Sequence, residues 1–582
     1  MIRKLFKQMV ISQVASAMSV MVCMVVDSIM IGKFLGIEAM AAYGYANPVL
    51  LFFVAFGSLL STGVQVVCSK AMGIGDDEKI NRCFSLSVVV GMTFSLLGVL
   101  AVVIFINPIC EMLGAEPGTE VFRLTKDYLL GFIIGAPAFT AAQILIPYLQ
   151  MSGQRLRLVA AVITMAVLDI GLDILNVTLV KMETFGMGMA STISYYGAII
   201  IGVTYFFKKS CIFKFSFKNL GNGLPKEIFL GGFPTVINQV SIVFLVLLVN
   251  NVMTDISGEI AVAAYSIVST IANLGYCIGN GISEVTLMLT TISYNEEDTK
   301  SLQEIIKEQT RSSIVINLLA IGLLVIFSKP LVTLFVTNNP AAMDDSLMGV
   351  RLVALCLVVN SINAAFKKYY QATERVHFSE SISVAQNFIF PATVAIVLGH
   401  LIGVTGVWFY PLIGETLTLV YITIYVKIVS KKKFASLESY LCLPEGFGVP
   451  PEDALEIQIT SLDDVEGAIE KVHEFCSERG ESVKKDMYTA LCIEEMAYNI
   501  VQHGFEEGRD NCIDIRLTDK SDEMLIRIRD NCKGFDPVKY FEIHKVDSDD
   551  PTEHIGIRMV FEMVKDVKYV NSLGLNCLTL TV

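Results

Sequence analysis

The sequence predicts an all-α polytopic membrane body followed by a C-terminal α+β sandwich domain, and three observations predict it. Of 582 residues, 53 % are apolar and only 17 % are charged, against about 25 % charged in an ordinary soluble chain. The charges divide unevenly. Residues 434–582 hold 15 Lys/Arg and 31 Asp/Glu, a net of −16, whereas residues 1–433 hold 29 and 26, a net of +3. Finally, about twelve apolar runs of the length a bilayer-crossing helix needs lie before residue 434. The overall charge of −13 sets nucleic acid aside as a partner, because phosphate is repelled. The 13 cysteines are scattered singly with no C-x-x-C pair, which predicts free thiols and no zinc site.

The runs centre near Val20, Ala55, Gly98, Ile134, Val167, Ile200, Val246, Ile278, Leu319, Val358, Ala395 and Leu417. The first follows Arg3, Lys4 and Lys7 but is too long for a signal peptide, contains Asp27 and has no small-residue cleavage site, so it reads as a retained span. Lys and Arg favour one set of loops, including Lys70, Lys79, Arg82, Arg155, Arg157, Lys208, Lys209, Lys300, Lys307, Lys367, Lys368, Arg375 and Lys431–Lys433. By the positive-inside rule these loops, the N-terminus and the acidic domain are cytoplasmic, in a multi-pass cell-membrane protein.

The body repeats itself. Ala41-Ala42-Tyr43 recurs as Ala263-Ala264-Tyr265 and Pro108 as Pro330, each 222 residues on. Tyr148-Leu149-Gln150 returns as Tyr369-Tyr370-Gln371, and the Gly186–Ala190 stretch returns loosely at Gly403–Val407. Two six-helix repeats, residues 1–215 and 216–433, place a substrate cavity between them, with alternating access by rocking.

Val26-Asp27-Ser28-Ile29-Met30-Ile31-Gly32 through Leu35-Gly36, then Ala39 and Ala41-Ala42, resembles the first-span motif of the multidrug and toxic compound extrusion (MATE) family. Leu168-Asp169 through Asp173 is similar to that family's fifth-span N-x-x-x-D helix, and Gln150–Arg155 and Gly186–Ala190 also fit. The resemblance covers residues 5–430. It implies export of drugs or organic cations in exchange for protons or sodium, and it makes Asp27 the proton- or cation-linked acid, with Asp173 at the family's fifth-span acid. Asp169 stands where the family has Asn.

Carboxylates inside a membrane are costly and therefore candidates for function. Asp27, Asp169, Asp173, Glu284 and Glu415 qualify. Asp169 and Asp173, four apart, share one helix face, and close carboxylates suit a proton-coupled site. In the second half Asn250, Asn251, Asn360 and Asn363 stand where the family often has acids, which favours coupling in the first half. Glu284 is included among the coupling candidates.

Residues 434–454 read as linker, and at Leu455 the hydrophobic period changes. Alternation at Leu455–Ile459, Ile513–Leu517, Met524–Ile528 and Leu578–Leu580 predicts strands; Val465–Cys476 and Met487–Val501 carry helical spacing. Two or three helices on one mixed or antiparallel sheet make an α+β sandwich over 455–582. Glu495, Asn499 and His503 lie on one helix face. A Glu can deprotonate water, and an Asn oxygen can hold Mg²⁺ beside phosphates. Asp530 through Gly534 follows a strand, where an Asp can accept from an adenine amino group and a glycine lets backbone approach a nucleotide. His554-Ile-Gly556 opens a further helix whose N-terminus can face phosphates.

In this order the three boxes resemble the histidine-kinase-like (Bergerat) ATPase fold, and most of all the anti-sigma-factor serine kinases. The resemblance implies ATP and Mg²⁺, with Glu495 as base and Asn499, His503, Asp530, Gly534 and Gly556 binding nucleotide. Cys532 and His554 depart from it, each standing where the boxes carry Gly. No G-x-x-x-x-G-K-[ST] loop is present, which argues against an ATP-driven pump. Three readings follow: an antiporter with a nucleotide-sensing regulator, a membrane sensor whose domain binds or phosphorylates a cytoplasmic protein partner, and a flippase of lipid-linked precursors.

Overall fold

The computed structural model describes every residue except 1, 75, 114, 116, 209–210, 216–222, 258, 336–339, 431–436, 445, 509–510, 521–522, 542–554 and 573. The third-box His554 and Lys431–Lys433 lie outside the described residues. The first half comprises helices α1 (Ile2–Met30), α2 (Ile37–Ile74), α3 (Asp77–Ile104), α4 (Glu120–Ile133), α5 (Ala136–Met151), α6 (Arg155–Leu175) and α7 (Glu183–Val203). The second comprises α8 (Leu224–Ser257), α9 (Glu259–Asn295), α10 (Thr299–Ile326), α11 (Pro340–Ala372), α12 (Val376–Val384), α13 (Phe390–Ile402) and α14 (Tyr410–Ser430).

Ten helices are individually long and apolar enough to cross a bilayer, and the pair α4–α5, bent by 47°, makes eleven. Among the described residues, ten or eleven of the expected twelve spans are thus matched. The Ile134 centre falls at the α4–α5 bend, where Gly135 lies between the two helices and Ala136-Pro137 starts the second. The Ile278 centre falls on α9, which has the length but is punctuated by Ser, Thr, Asn and Gly. Those residues suit an interior position, and α9 packs closely against α1, α2 and α11.

The repeat is visible in local geometry. Asp76 caps α3 by accepting from Lys79 N at 2.9 Å, and Asp298 caps α10 by accepting from Ser301 N at 3.0 Å. Their backbone angles are nearly identical, φ −91° and ψ 83° against φ −92° and ψ 83°. Satisfying an orphan N–H with a side-chain oxygen is what starts each helix at that residue.

The two halves meet at the end that carries the C-terminal domain. Arg3 pairs with Glu308 at 2.9 Å, Lys79 with Glu227 at 2.7 Å, and Lys70 with Glu374. Among the described residues, every ion pair between the halves lies at this end. Gly63 and Gly232 make the contact close, since a Cβ on either would lie 2.1 Å from a backbone oxygen of Ile228 or Leu59.

The C-terminal domain carries one antiparallel sheet in the order β1-β2-β3-β5-β4, from β1 (Ala454–Ile459), β2 (Ile513–Asp519), β3 (Met524–Asp530), β4 (Asp566–Ser572) and β5 (Leu575–Thr581). Strand β4 has no counterpart in the sequence reading. Helices α15 (Asp463–Glu478), α16 (Val483–Gly504) and α17 (Ile555–Met563) cover one face. Ile457, Ile515, Ile526, Ile528 and Leu578 meet Val472, Ile493 and Val560 there in a dry core. Because strand side chains alternate, Arg516, Arg527 and Arg529 fall on the other face.

Residues 434–454 are more than a tether. A 3₁₀ turn at Leu437–Leu441 packs on the second half, with Tyr369 and Tyr370 hydroxyls donating to the carbonyls of Leu441 and Tyr440 at 3.0 and 2.9 Å. All thirteen cysteines are unpaired, as expected.

Candidate functional sites

The first site lies among α1, α6 and α7. Asp169 and Asp173 project from one face of α6 and are buried, and Asp27 reaches them from α1. Asp169 Oδ1 accepts from Ser194 Oγ of α7 at 3.1 Å. Asp27, Asp169 and Asp173 lie close enough to act on one another electrostatically. Yet Asp27 Oδ1 and both oxygens of Asp173 are buried without a donor. Two ionised carboxylates cannot share such a place undisturbed.

Two π-helical turns flank this cluster. Ile31–Leu35 continues α1 just after Asp27, and Asn176–Val180 continues α6 just after Asp173. Such turns recur at functional positions in helices. Asn176 fastens the second, accepting from Met182 N at 3.0 Å and donating to Glu183 O at 2.9 Å. Gly186 makes room for it, because a Cβ there would lie 2.0 Å from Asn176 Oδ1.

The second half is built differently. Glu415 of α14 is buried but accepts from Asn360 at 2.7 Å, Asn363 at 2.8 Å and Gln386 at 3.0 Å. Gln386 sits on a third π turn, Ala385–Ile389. Lys367 donates to Asn238 at 2.6 Å and to Gln386 at 3.3 Å. Glu284 pairs with Lys368 at 2.9 Å and is not brought to the aspartates of the first half. Lys367 and Lys368, read from sequence as loop residues, lie within α11 instead.

The other site is the face of the C-terminal domain where α16, the end of β3 and the start of α17 converge. Asp530, the last residue of β3, is 3 % exposed. Its Oδ1 takes both Asn576 Nδ2 at 2.8 Å and Cys532 N at 2.9 Å. Asn576 is itself fixed, accepting from Tyr569 Oη at 2.8 Å and Asn571 Nδ2 at 2.9 Å. Burial raises the Asp530 carboxyl and the Asn576 amide opposes the rise. The Glu495 carboxyl is also raised, first by burial and then by Glu494. Glu495 reaches across to α17, where a Cβ on Gly556 would lie 2.0 Å from its Oε2. Gly556 is thus crowded by the Glu495 carboxylate, the movable end of a side chain. Gly534 is not, since the nearest atom to a Cβ there is Asn576 Oδ1 at 3.8 Å. Asn499 turns back to donate to Glu495 O at 2.7 Å, and His503 is exposed at the end of α16.

Sequence reasoning missed Asn576, Ser194 and Gln386. Asn576 could have been found as the one amide opening an otherwise apolar and threonine-rich final strand. Nothing in the sequence singles out Ser194 or Gln386 among many polar residues in the spans.

The MatE family model matches residues 14–175 and again 234–408. The chain belongs to the MATE family. The two matches make the MATE body a repeat. A model described as histidine kinase-like ATPase domain matches residues 460–582. The MATE body is similar to the multidrug export protein MepA of Staphylococcus aureus (strain NCTC 8325 / PS 47), 24 % identical over 380 residues, 65 % of this chain and 83 % of that protein. It is also similar to the probable multidrug resistance protein YoeA of Bacillus subtilis (strain 168), 23 % identical over 424 residues, 69 % of this chain and 89 % of the other. Among solved structures, an outward-facing MATE transporter of the MOP superfamily superposes with a TM-score of 0.68 at 19 % identity, covering 72 % of this chain and 94 % of that one. A MOP superfamily transporter from Pyrococcus furiosus superposes at 0.65 and 20 % identity, covering 72 % and 94 %. This MATE protein is therefore a multi-pass membrane protein with a nucleotide-domain fold attached.

Proposed function

We propose that this MATE protein is a secondary exporter of drug-like organic cations, driven by protons or sodium bound in its first half, with a cytoplasmic domain that binds nucleotide and regulates export. The donor-less group of Asp27 and Asp173 beside Asp169 carries the reading. Such a cluster gains stability from a cation and loses it when the cation leaves, which is what exchange of an ion for a substrate requires. The names of the S. aureus and B. subtilis relatives support drugs as the substrate class. Residues 1–215 and 216–433 are the units that move, with 434–454 joining the domain at 455–582.

The residues of the C-terminal domain fit a nucleotide. Asp530 offers a fixed acceptor for an exocyclic amino group, Gly556 opens a helix N-terminus suited to phosphate, and Asn499 can turn its oxygen to Mg²⁺. Bound ATP would supply a transferable phosphoryl group, and Glu495 is the base next to it. A regulator requires only the binding.

The test is export of a cationic dye from proteoliposomes under an imposed proton or sodium gradient, with and without Mg-ATP. Gradient-driven export that Asp27→Asn abolishes and Mg-ATP modulates supports the proposal. Absence of export under every gradient overturns it in favour of a sensor.

A further inference from the structure

We propose that the C-terminal domain is a strap that fastens the two halves of the membrane body together and holds this end closed. The inference rests on the transport reading only for its consequence, which is that export is restrained until the strap lets go.

The strap grips the second half by charge. Arg529 donates to Glu296 at 2.5 Å, and Arg527 reaches both Glu296 at 2.8 Å and Asp298 at 2.9 Å. Arg516 meets Asp298 at 3.1 Å. These guanidiniums and carboxylates are nearly all withdrawn from solvent, in a domain whose residues 455–582 carry a net charge of −12. Buried pairs of this kind are screened little by salt, and removing one partner strands the other. Burial alone would raise the Asp298 carboxyl, but Arg527 and Arg516 overcome it and hold it well below the ordinary range.

The same sheet touches the first half through apolar contact. Val570 and Leu575 pack with Ile2, Leu5 and Met72, in a cluster that also contains Leu289 and Ile292 of the second half. Gly574 lies against Gly153, where an added Cβ would come within 3.3 Å of the Gly153 Cα. One rigid sheet thus spans the seam that must open if the halves rock. The linker that leads into it is pinned at Leu441 and Cys442 by Tyr369 and Arg375. The grip and the nucleotide pocket share β3: Arg529 faces the membrane body and Asp530 the pocket.

The experiment uses the full chain in nanodiscs and in proteoliposomes, with Glu296→Gln, Arg529→Gln and the double variant. Asp298 is left intact because it caps α10. Hydrogen exchange is read in peptides spanning residues 60–72 and 227–240 across the seam, beside gradient-driven dye export. Each single variant is expected to raise exchange there about tenfold and to raise the initial export rate, while the double does no more than the larger single. Unchanged exchange at the seam overturns the strap, as does an effect of the double equal to both singles combined. If exchange responds as expected but no variant exports dye, the strap stands and the transport reading fails.

Discussion

The two halves of the membrane body share a repeat and a capping aspartate, yet use their acids in opposite ways. In the first half Asp27 Oδ1 and both oxygens of Asp173 are buried without donors, and Asp76 caps α3. In the second half Glu415 is surrounded by three amides, and Asp298 both caps α10 and holds Arg516 and Arg527. One half keeps an electrostatic demand unmet. In the other, Glu415 and Asp298 have theirs met within the chain. An unmet demand can be answered by an ion that comes and goes, whereas a met one serves as an anchor.

The contrast breaks most readily at Asp27. Asp27→Asn and Asp173→Asn are expected to lower gradient-driven export by about two orders of magnitude, read as dye flux in proteoliposomes. The same substitutions should leave thermal unfolding unchanged or raise its midpoint, because they relieve a crowded acid pair. A clear loss of stability would remove the distinction between the halves. Glu415→Gln is expected to do the reverse, costing about 1.5–3 kcal/mol as charged hydrogen bonds are lost, measured by unfolding in detergent.

The nucleotide pocket sharpens a second contrast, between two glycines. Gly556→Ala forces Glu495 or the start of α17 to move and is expected to weaken nucleotide binding about tenfold. Gly534→Ala meets ordinary contact distances and should change it less than about twofold. Titration with a fluorescent nucleotide analogue checks both, and equal effects would count against the pocket.

The smallest effect concerns pH. A carboxyl held low contributes stability above its ordinary value of about 3.9 and loses it as the pH falls through the depressed value. Because the Arg527 and Arg516 guanidiniums hold Asp298 low against its burial, docking of the domain should be flat between about pH 8 and 5 and weaken only below about 4. Protection of β2 and β3 from hydrogen exchange across that range is the measurement.

Much of this was legible in the sequence because it is carried by spacing. Long apolar runs, a 222-residue echo and acids four apart on one helix are one-dimensional facts. Alternation likewise marked β1, β2, β3 and β5. Strand β4, Asp566–Ser572, escaped because Val570 and Asn571 reverse the alternation that Val567, Lys568 and Tyr569 begin. The partners Ser194, Gln386 and Asn576 escaped because each matters only through a residue distant in the chain. Glu296 and Asp298 read as part of a hydrophilic loop, and no pattern along the chain says that three arginines more than two hundred residues later will cover them.

Covering them changes what mutation can do. Arg529 and Glu296 stand 233 positions apart, and either would be an ordinary surface residue on a protein that lacked the other's domain. Joined, each is buried against the other, with Arg527 sharing Glu296, so a change at one strands charge at the other. Joining the two domains in one chain makes an interior of what would be the exterior of each.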